Sequence, residues 1–280
     1  MLEDTIASAI VDASMFLPEH VEDLIKKAAK SEKNSYARFA LSCIVENINL
    51  AREKELPLCQ DTGMLYVFVE VGKDARFSYK ALSGALEKGI KKGMKEGAFR
   101  ESVVSDPVFD RKNTNTNLPP VINYFFVDGS DITLTFLLKG FGSENCSGVR
   151  MIRPTDGKDG VIDAVIDIVK SAGGKPCPPM FLGIGVGGTM DRAAILSKKA
   201  LVYEGKKDKR YKELEEEILG KVNALRIGAS GLGGANTALS CSVLYEPTHI
   251  AALPVAVSIN CWADRFVKVV VKGGFDEEDA

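Results

Sequence analysis

Short runs of β-branched and aromatic residues, each cut off by glycine, proline or a polar turn, constrain this chain most. MLYVFVEV at 64–71, INYFFV at 122–127, ITLTFLL at 132–138 and MFLGIGVGG at 180–188 read as strands. Further strands are predicted near 239–245, 254–260 and 266–272. The turn DGSD joins the runs 122–127 and 132–138, as in a hairpin. Segments of helical period lie between the runs. Ile6, Ile10 and Val11 share one side of a first helix, and Val21, Leu24 and Ile25 form the stripe of a second, opened by Pro18. A third helix runs from about Ser35 to Glu53, with Phe39, Ile44 and Ile48 among its apolar positions. Cys43 falls in that stripe and is expected to pack in the core. Helices are also predicted over 78–96 (weakened by Gly84, Gly89 and Gly93), 157–172 and 208–225, and over TMDRAAILSKKAL with Thr189 as N-cap. KGFGSENCSG at 139–148, GGKPCPP at 173–179 and GASGLGGANTA at 228–238 read as loops, and the acidic tail FDEEDA as frayed. Helices and strands alternating without a repeat predict one α/β domain over 1–280, with mixed β-sheets surrounded by helices and a helical N-terminal third.

Charge and cysteine usage narrow the function. Lys and Arg number 36 against 38 Asp and Glu, a net charge of −2, which removes the positive field of a general nucleic-acid binder. No apolar run approaches the ~20 residues of a membrane span. The opening MLEDTIASAIVDAS carries acids where a secretory signal carries positive charge, so a reducing, cytoplasmic setting is expected. Six cysteines and two histidines, His20 and His249, show neither CxxC nor HxxxH, which excludes a zinc finger.

Two constellations could carry chemistry. GIGVGG at 183–188 lies between a strand and a helix, as a dinucleotide fingerprint does. Its spacing is GxGxGG, and no clean βαβ unit ending in an acidic residue is expected after it. Close backbone packing is the plainer role for these glycines. The second constellation is Cys59 in LCQDTG, Cys177 in KPCPP and Cys261 in INCWADR. Each lies at a strand end or an irregular turn, where free backbone N–H groups suit a thiolate or a sulfide. Gln60 and Asp61 follow Cys59, Asp264 and Arg265 follow Cys261, and His249 precedes Cys261 by twelve residues. Asp264 and Arg265 could equally form a structural ion pair.

The strings LCQDTG, NTNTNLP, KGFGSENCS, CPPMFLGIGVGG, GASGLGG and YEPTHIAALPVAVSINCWADR follow one another along nearly the whole chain. In this set and order the sequence resembles the alpha subunit of class I, iron–sulfur-dependent fumarate hydratase, a relative of the L-tartrate dehydratase alpha subunit. The resemblance implies a [4Fe–4S] cluster held by Cys59, Cys177 and Cys261, which should converge on one centre. Cys146 is not expected to be a ligand, and Cys241 is expected in the core. Three ligands leave one iron open as a Lewis acid. The family pattern further implies substrate contacts at Gln60, Asp61, Arg100, Gly142, Asn145 and His249. Asp61 and His249 are the catalytic candidates, Asp61 as base or relay. The plainer role for Asp61 is to cap the DTG turn. The implied reaction is reversible hydration of fumarate to malate, with L-tartrate dehydration, or a non-catalytic assembly role, as alternatives. Retention of all three cysteines argues against the last. Single-chain members continue into a second domain that this chain lacks, so a beta subunit is the implied partner and the site a half-site for a small dicarboxylate.

Overall fold

The computed structural model describes residues 1–206 and 208–279. In chain order its elements begin with α1 (Leu2–Met15), α2 (Glu19–Ser31), α3 (Ser35–Lys54), β1 (Met64–Gly72), β2 (Arg76–Phe77), α4 (Tyr79–Glu96), β3 (Val121–Val127) and β4 (Ile132–Lys139). They continue with α5 (Phe141–Glu144), β5 (Gly148–Ile152), α6 (Gly157–Ala172), β6 (Met180–Gly187), α7 (Met190–Leu201) and α8 (Lys209–Ala224). The last are β7 (Ala238–Glu246), β8 (Leu253–Asn260), β9 (Arg265–Val271) and β10 (Gly274–Phe275). Three leading helices followed by helices and mixed sheets make the fold α/β, as the sequence predicts. The chain divides into two compact units. The first comprises Met1–Pro18, Ile48–Lys139 and the residues from Arg265 onward; the second comprises Glu19–Asn47 and Gly140–Asp264.

In the first unit a four-stranded sheet has the order β3-β1-β4-β9. Alternate residues of β1 (Leu65, Val67, Val69, Val71) and β4 (Leu134, Phe136, Leu138) form one core with α1 and α4. Two of the glycines that weaken α4 as a helix let α1 approach it. A Cβ on Gly89 would lie 2.9 Å from the Glu3 carbonyl oxygen, and one on Gly93 3.0 Å from that of Ala7. The hairpin expected across DGSD does not form. β1 sits between the two strands, parallel to β3 and antiparallel to β4. A turn brings two strand ends close but does not choose partners. The largely buried β1 takes the centre, and β3, with Phe126 exposed, takes the edge. The tail is also better tied than expected. β10 pairs with β2, and Arg76 forms ion pairs with Asp276 and Asp279. Ala280, the last residue of that tail, lies outside the described residues.

In the second unit the sheet order is β5-β8-β6-β7. Leu182 and Ile184 of β6 and Val257 and Ile259 of β8 pack with α6 and α8. The alternate β6 positions, Gly183 and Gly185, face α7. A Cβ there would lie 2.1 Å from the Ser197 carbonyl oxygen and 2.0 Å from that of Ala193. In the GIGVGG run the space over Gly183 and Gly185 is thus filled by α7 and that over Gly187 by the Glu246 carbonyl, which supports the packing role. One expectation about it fails: β6 and β7 are parallel, with α7 and α8 between them, and β7 ends at Glu246, so a βαβ unit closing on an acid does exist. That acid is held by Arg192 of α7. Thr189 stands at the N-cap of α7, but its hydroxyl donates to Asp191 Oδ1 at 2.5 Å and makes no cap bond.

Other expectations are corrected. The loop read at 139–148 contains α5 and leads into β5, a short strand with two exposed residues that carries no apolar run. Cys43 is exposed, as is Phe39. The buried stripe of α3 is Ala37, Leu41, Ile44 and Ile48. Phe39 and Cys43 each lie two residues from a member of that stripe, about 200° around the helix.

Candidate active site

Residues implicated by sequence fall in both units, and each group is built by its own unit. In the first, the chain leaves α3 and runs through an irregular loop into β1. Leu58, buried, anchors the loop by donating its N–H to the Ser14 carbonyl at 2.9 Å. Cys59 is half-buried and Gln60 exposed. Asp61 Oδ1 accepts from the Gly63 N–H at 3.0 Å, so this carboxylate does cap the DTG turn. Thr62, buried, accepts the Arg100 N–H on its hydroxyl at 3.1 Å. Asn117, 1 % exposed, binds the other side of Arg100: its Nδ2 donates to the Arg100 carbonyl at 2.8 Å and its Oδ1 accepts from Ser102 N–H. The LCQDTG loop, the turn at Arg100 and the NTNTNLP segment are therefore one hydrogen-bonded assembly, with the Arg100 residue exposed.

In the second unit three segments meet at one end of the sheet. β6 and β8 are antiparallel with Phe181 opposite Asn260, so the residues before β6 lie beside those after β8. Those residues are Cys177 and Cys261, and the Trp262 N–H donates to the Cys177 carbonyl at 3.3 Å. Cys177 is exposed and takes φ +53°, the left-handed region that β-carbon-bearing residues avoid. Ser143, buried in α5, donates to the Gly140 carbonyl and to Asn260 Oδ1. Glu144 forms a largely buried ion pair with Lys198. The turn carrying Gly142 and Asn145 is thereby fixed next to the residue preceding Cys261. Beside the α5 turn lies a cleft of about 560 Å³, lined by Gly142, Asn145, Cys146, Arg150 and Lys175 among others but by neither Cys177 nor Cys261. Its two cations suit an anionic ligand. Sequence alone singles out neither, because lysine and arginine give no sign there of which cleft they line.

Behind Cys177 the glycine loop of 228–236 gives support. The Ser230 N–H donates to the Pro178 carbonyl at 2.8 Å. The loop is held by Glu32, which carries no sign of this role in the sequence and is 3 % exposed. Its Oε1 accepts from the N–H groups of Lys33 and Asn34. Its Oε2 accepts from the N–H groups of Ala235 and Asn236 and from Asn236 Nδ2. Burial pushes the Glu32 carboxyl up, but these hydrogen bonds outweigh it and hold it below the ordinary range.

His249 is not at this end. It precedes β8, whereas Cys261 follows it, so the two are separated by the strand, about 24 Å at ~3.4 Å per residue. The His249 loop is tied to the far end of β6, where Thr248 Oγ1 donates to the Gly188 carbonyl and the Gly188 N–H to that of Pro247. His249 is exposed, and its Nδ1 accepts from the Ala251 N–H at 3.2 Å, which puts the proton of the neutral ring on Nε2. Asp264 and Arg265 direct hydrogen bonds to different partners: Asp264 accepts from Asn260 Nδ2, and Arg265 donates to the Asp61 carbonyl. Among the described residues, which include all six cysteines, there is no disulfide, and no three His, Cys, Asp or Glu gather as for a single metal ion.

A helix-flanked pair of mixed sheets with thiols on sheet-end loops defines a class rather than a protein. The model of the fumarate hydratase (Fumerase) family matches residues 3–270, and the chain belongs to that family and so to the hydro-lyases. Among curated relatives, a Methanocaldococcus jannaschii protein provisionally named L(+)-tartrate dehydratase subunit alpha is 40% identical over 271 residues, covering 94% of this chain and 95% of the relative. The L(+)-tartrate dehydratase subunit alpha of Escherichia coli K12 is 28% identical over 273 residues, covering 94% and 88%. The subunit of the same name in Shigella sonnei matches equally. No helix among the described residues is long and apolar enough to cross a membrane.

Proposed function

We propose that this chain is the alpha-type subunit of an iron–sulfur hydro-lyase that interconverts fumarate and malate, working with a beta-type subunit. The observation that carries this reading is the juxtaposed pair of thiol-bearing loops, with Cys177 held in a left-handed conformation and hydrogen-bonded to the residue after Cys261. Strained, exposed positions persist where the surroundings over-determine them, and they cluster at functional sites. The donor set also fits a cluster. Cys59, Cys177 and Cys261 all lie on loops rather than in strands or helices, and they would hold it as thiolates. When bound, a cluster with three cysteine ligands supplies a Lewis-acidic iron.

The chain's own residues do the rest in this reading. Arg100 binds one carboxylate of the dianion, and Gln60 and Asn145 donate to its oxygens. Gly142, without a side chain, lets substrate approach the α5 turn. The Asp61 carboxylate takes the proton from carbon as hydroxide leaves the neighbouring carbon, so malate yields fumarate and one water. His249, at the far end of β8, reaches a substrate at the cysteine end from a second chain. The names of the relatives favour L(+)-tartrate as the second substrate reading, and their designation as alpha subunits favours a partner chain. The test is anaerobic reconstitution with a beta-type subunit and assay on fumarate, malate and L(+)-tartrate. Turnover of fumarate and malate supports the reading, turnover of tartrate alone selects the second, and turnover of none refutes both.

A further inference from the structure

Arg265 opens β9 opposite Leu138 of β4, and the next residue of β4, Lys139, stands opposite Met64, the first residue of β1. Three strand ends therefore meet at one end of the first unit's sheet, where the Cys59–Gly63 loop enters β1. The Arg265 guanidinium is buried there, 1 % exposed. Its Nη2 donates to the Asp61 carbonyl at 2.8 Å. Among the described residues its Nε and Nη1, shielded from solvent, have no hydrogen-bond partner. A guanidinium offers five N–H donors and no acceptor, so only acceptors brought from elsewhere can satisfy these two. Buried donors without an acceptor are rare in native proteins, and each calls for an explanation.

We propose that Arg265 is a positioning residue of the hydro-lyase site. It pins the Cys59–Gly63 loop through the Asp61 carbonyl, and it keeps Nε–H and Nη1–H for an anionic acceptor brought to that loop. The inference rests on the hydro-lyase reading above. The acceptor is a sulfur if the group held by the cysteines supplies it, and a carboxylate oxygen if the substrate does. Both donors are covered, so the loop shifts to admit the acceptor, and Asp61 shifts with it. Arg265 thus couples occupancy of the site to the placement of Asp61.

The experiment compares wild type, Arg265→Lys and Arg265→Met in the reconstituted alpha–beta complex. Amide exchange over 58–63 reports pinning. The visible spectrum and reduction potential of the cluster report a sulfur acceptor, and KM against kcat reports a carboxylate acceptor. Arg265→Met should speed loop exchange at least tenfold with α6 and α8 unchanged. It should also either shift the spectrum and potential, or raise KM about tenfold at an unchanged spectrum; Arg265→Lys should recover part of either effect. Unchanged loop exchange, a uniform rise in exchange across both units, or a faster loop with neither the cluster signals nor KM altered would overturn the proposal. A wild-type complex that binds iron and turns over substrate while its variants behave as wild type removes the role of Arg265 and leaves the hydro-lyase reading intact. A wild-type complex with neither iron nor turnover removes both.

Discussion

Glu32→Gln tests how the second unit supports its Cys177 loop. The carboxylate gathers five N–H donors, two on Oε1 and three on Oε2. Glutamine keeps one acceptor oxygen and turns an NH2 group toward the donors of the other. Two or three bonds are lost, and the remainder no longer go to a charge. Hydrogen bonds to charged groups contribute ~1.5–3 kcal/mol each, and the shared acceptor makes them less than additive, so a loss of about 2–4 kcal/mol is expected. Amide exchange at Ser230, Ala235 and Asn236 localises the effect, and denaturant unfolding at pH 7 gives its size. The pH dependence follows from the lowered pKa of Glu32. A carboxyl held lower in the folded state than in the unfolded one stabilises fully above its unfolded pKa. That stability fades as pH falls through the folded value. The gap between wild type and Glu32→Gln should therefore be full at neutral pH and narrow below about pH 4.5. Because Ser230 binds the Pro178 carbonyl, alkylation of Cys177 should also change. Equal stability at pH 7, or a gap that widens on acidification, would refute the reasoning.

Three further outcomes are expected. His249→Ala and Cys261→Ser chains, each inactive, should recover about a quarter of wild-type turnover when mixed, the share of intact sites in random two-fold pairs; no recovery would show that His249 does not act across chains. Gly185→Ala, whose Cβ would meet the Ala193 carbonyl oxygen at 2.0 Å, should cost about 3 kcal/mol or more by denaturant unfolding, and an unperturbed midpoint would contradict the packing of α7 on β6. Cys43→Ser, on the exposed side of α3, should leave stability within ~0.5 kcal/mol, and a larger loss would return Cys43 to the core.

What the sequence made legible follows from how local each signal is. β1, β4 and β6 carry long apolar runs, and all three were readable. β2 and β10 have two residues each, β5 has exposed positions and no such run, and none of the three was readable. Strand partners depend on which strand is buried on both faces, so β1 could insert where a hairpin was expected. In α3 two apolar stripes compete, and only tertiary packing decides that Leu41 goes inside and Phe39 does not. The loops of Cys59 and Cys177 are legible because glycine and proline punctuate them, and that of Cys261 because an apolar strand run ends just before it. Glu32 and Arg265 are not, because a charged side chain is buried by what surrounds it rather than by its neighbours in the chain. The distance of His249 from the cysteine end depends on the direction of β8, which residue spacing alone does not reveal.

The most direct measurement is iron and acid-labile sulfide per chain after anaerobic purification, for wild type and six single Cys→Ser variants. The account predicts about four of each in wild type and in the variants at Cys43, Cys146 and Cys241. It predicts little or none in the variants at Cys59, Cys177 and Cys261. Full loading after loss of any of those three, or loss of loading with Cys43 or Cys146 alone, would contradict it.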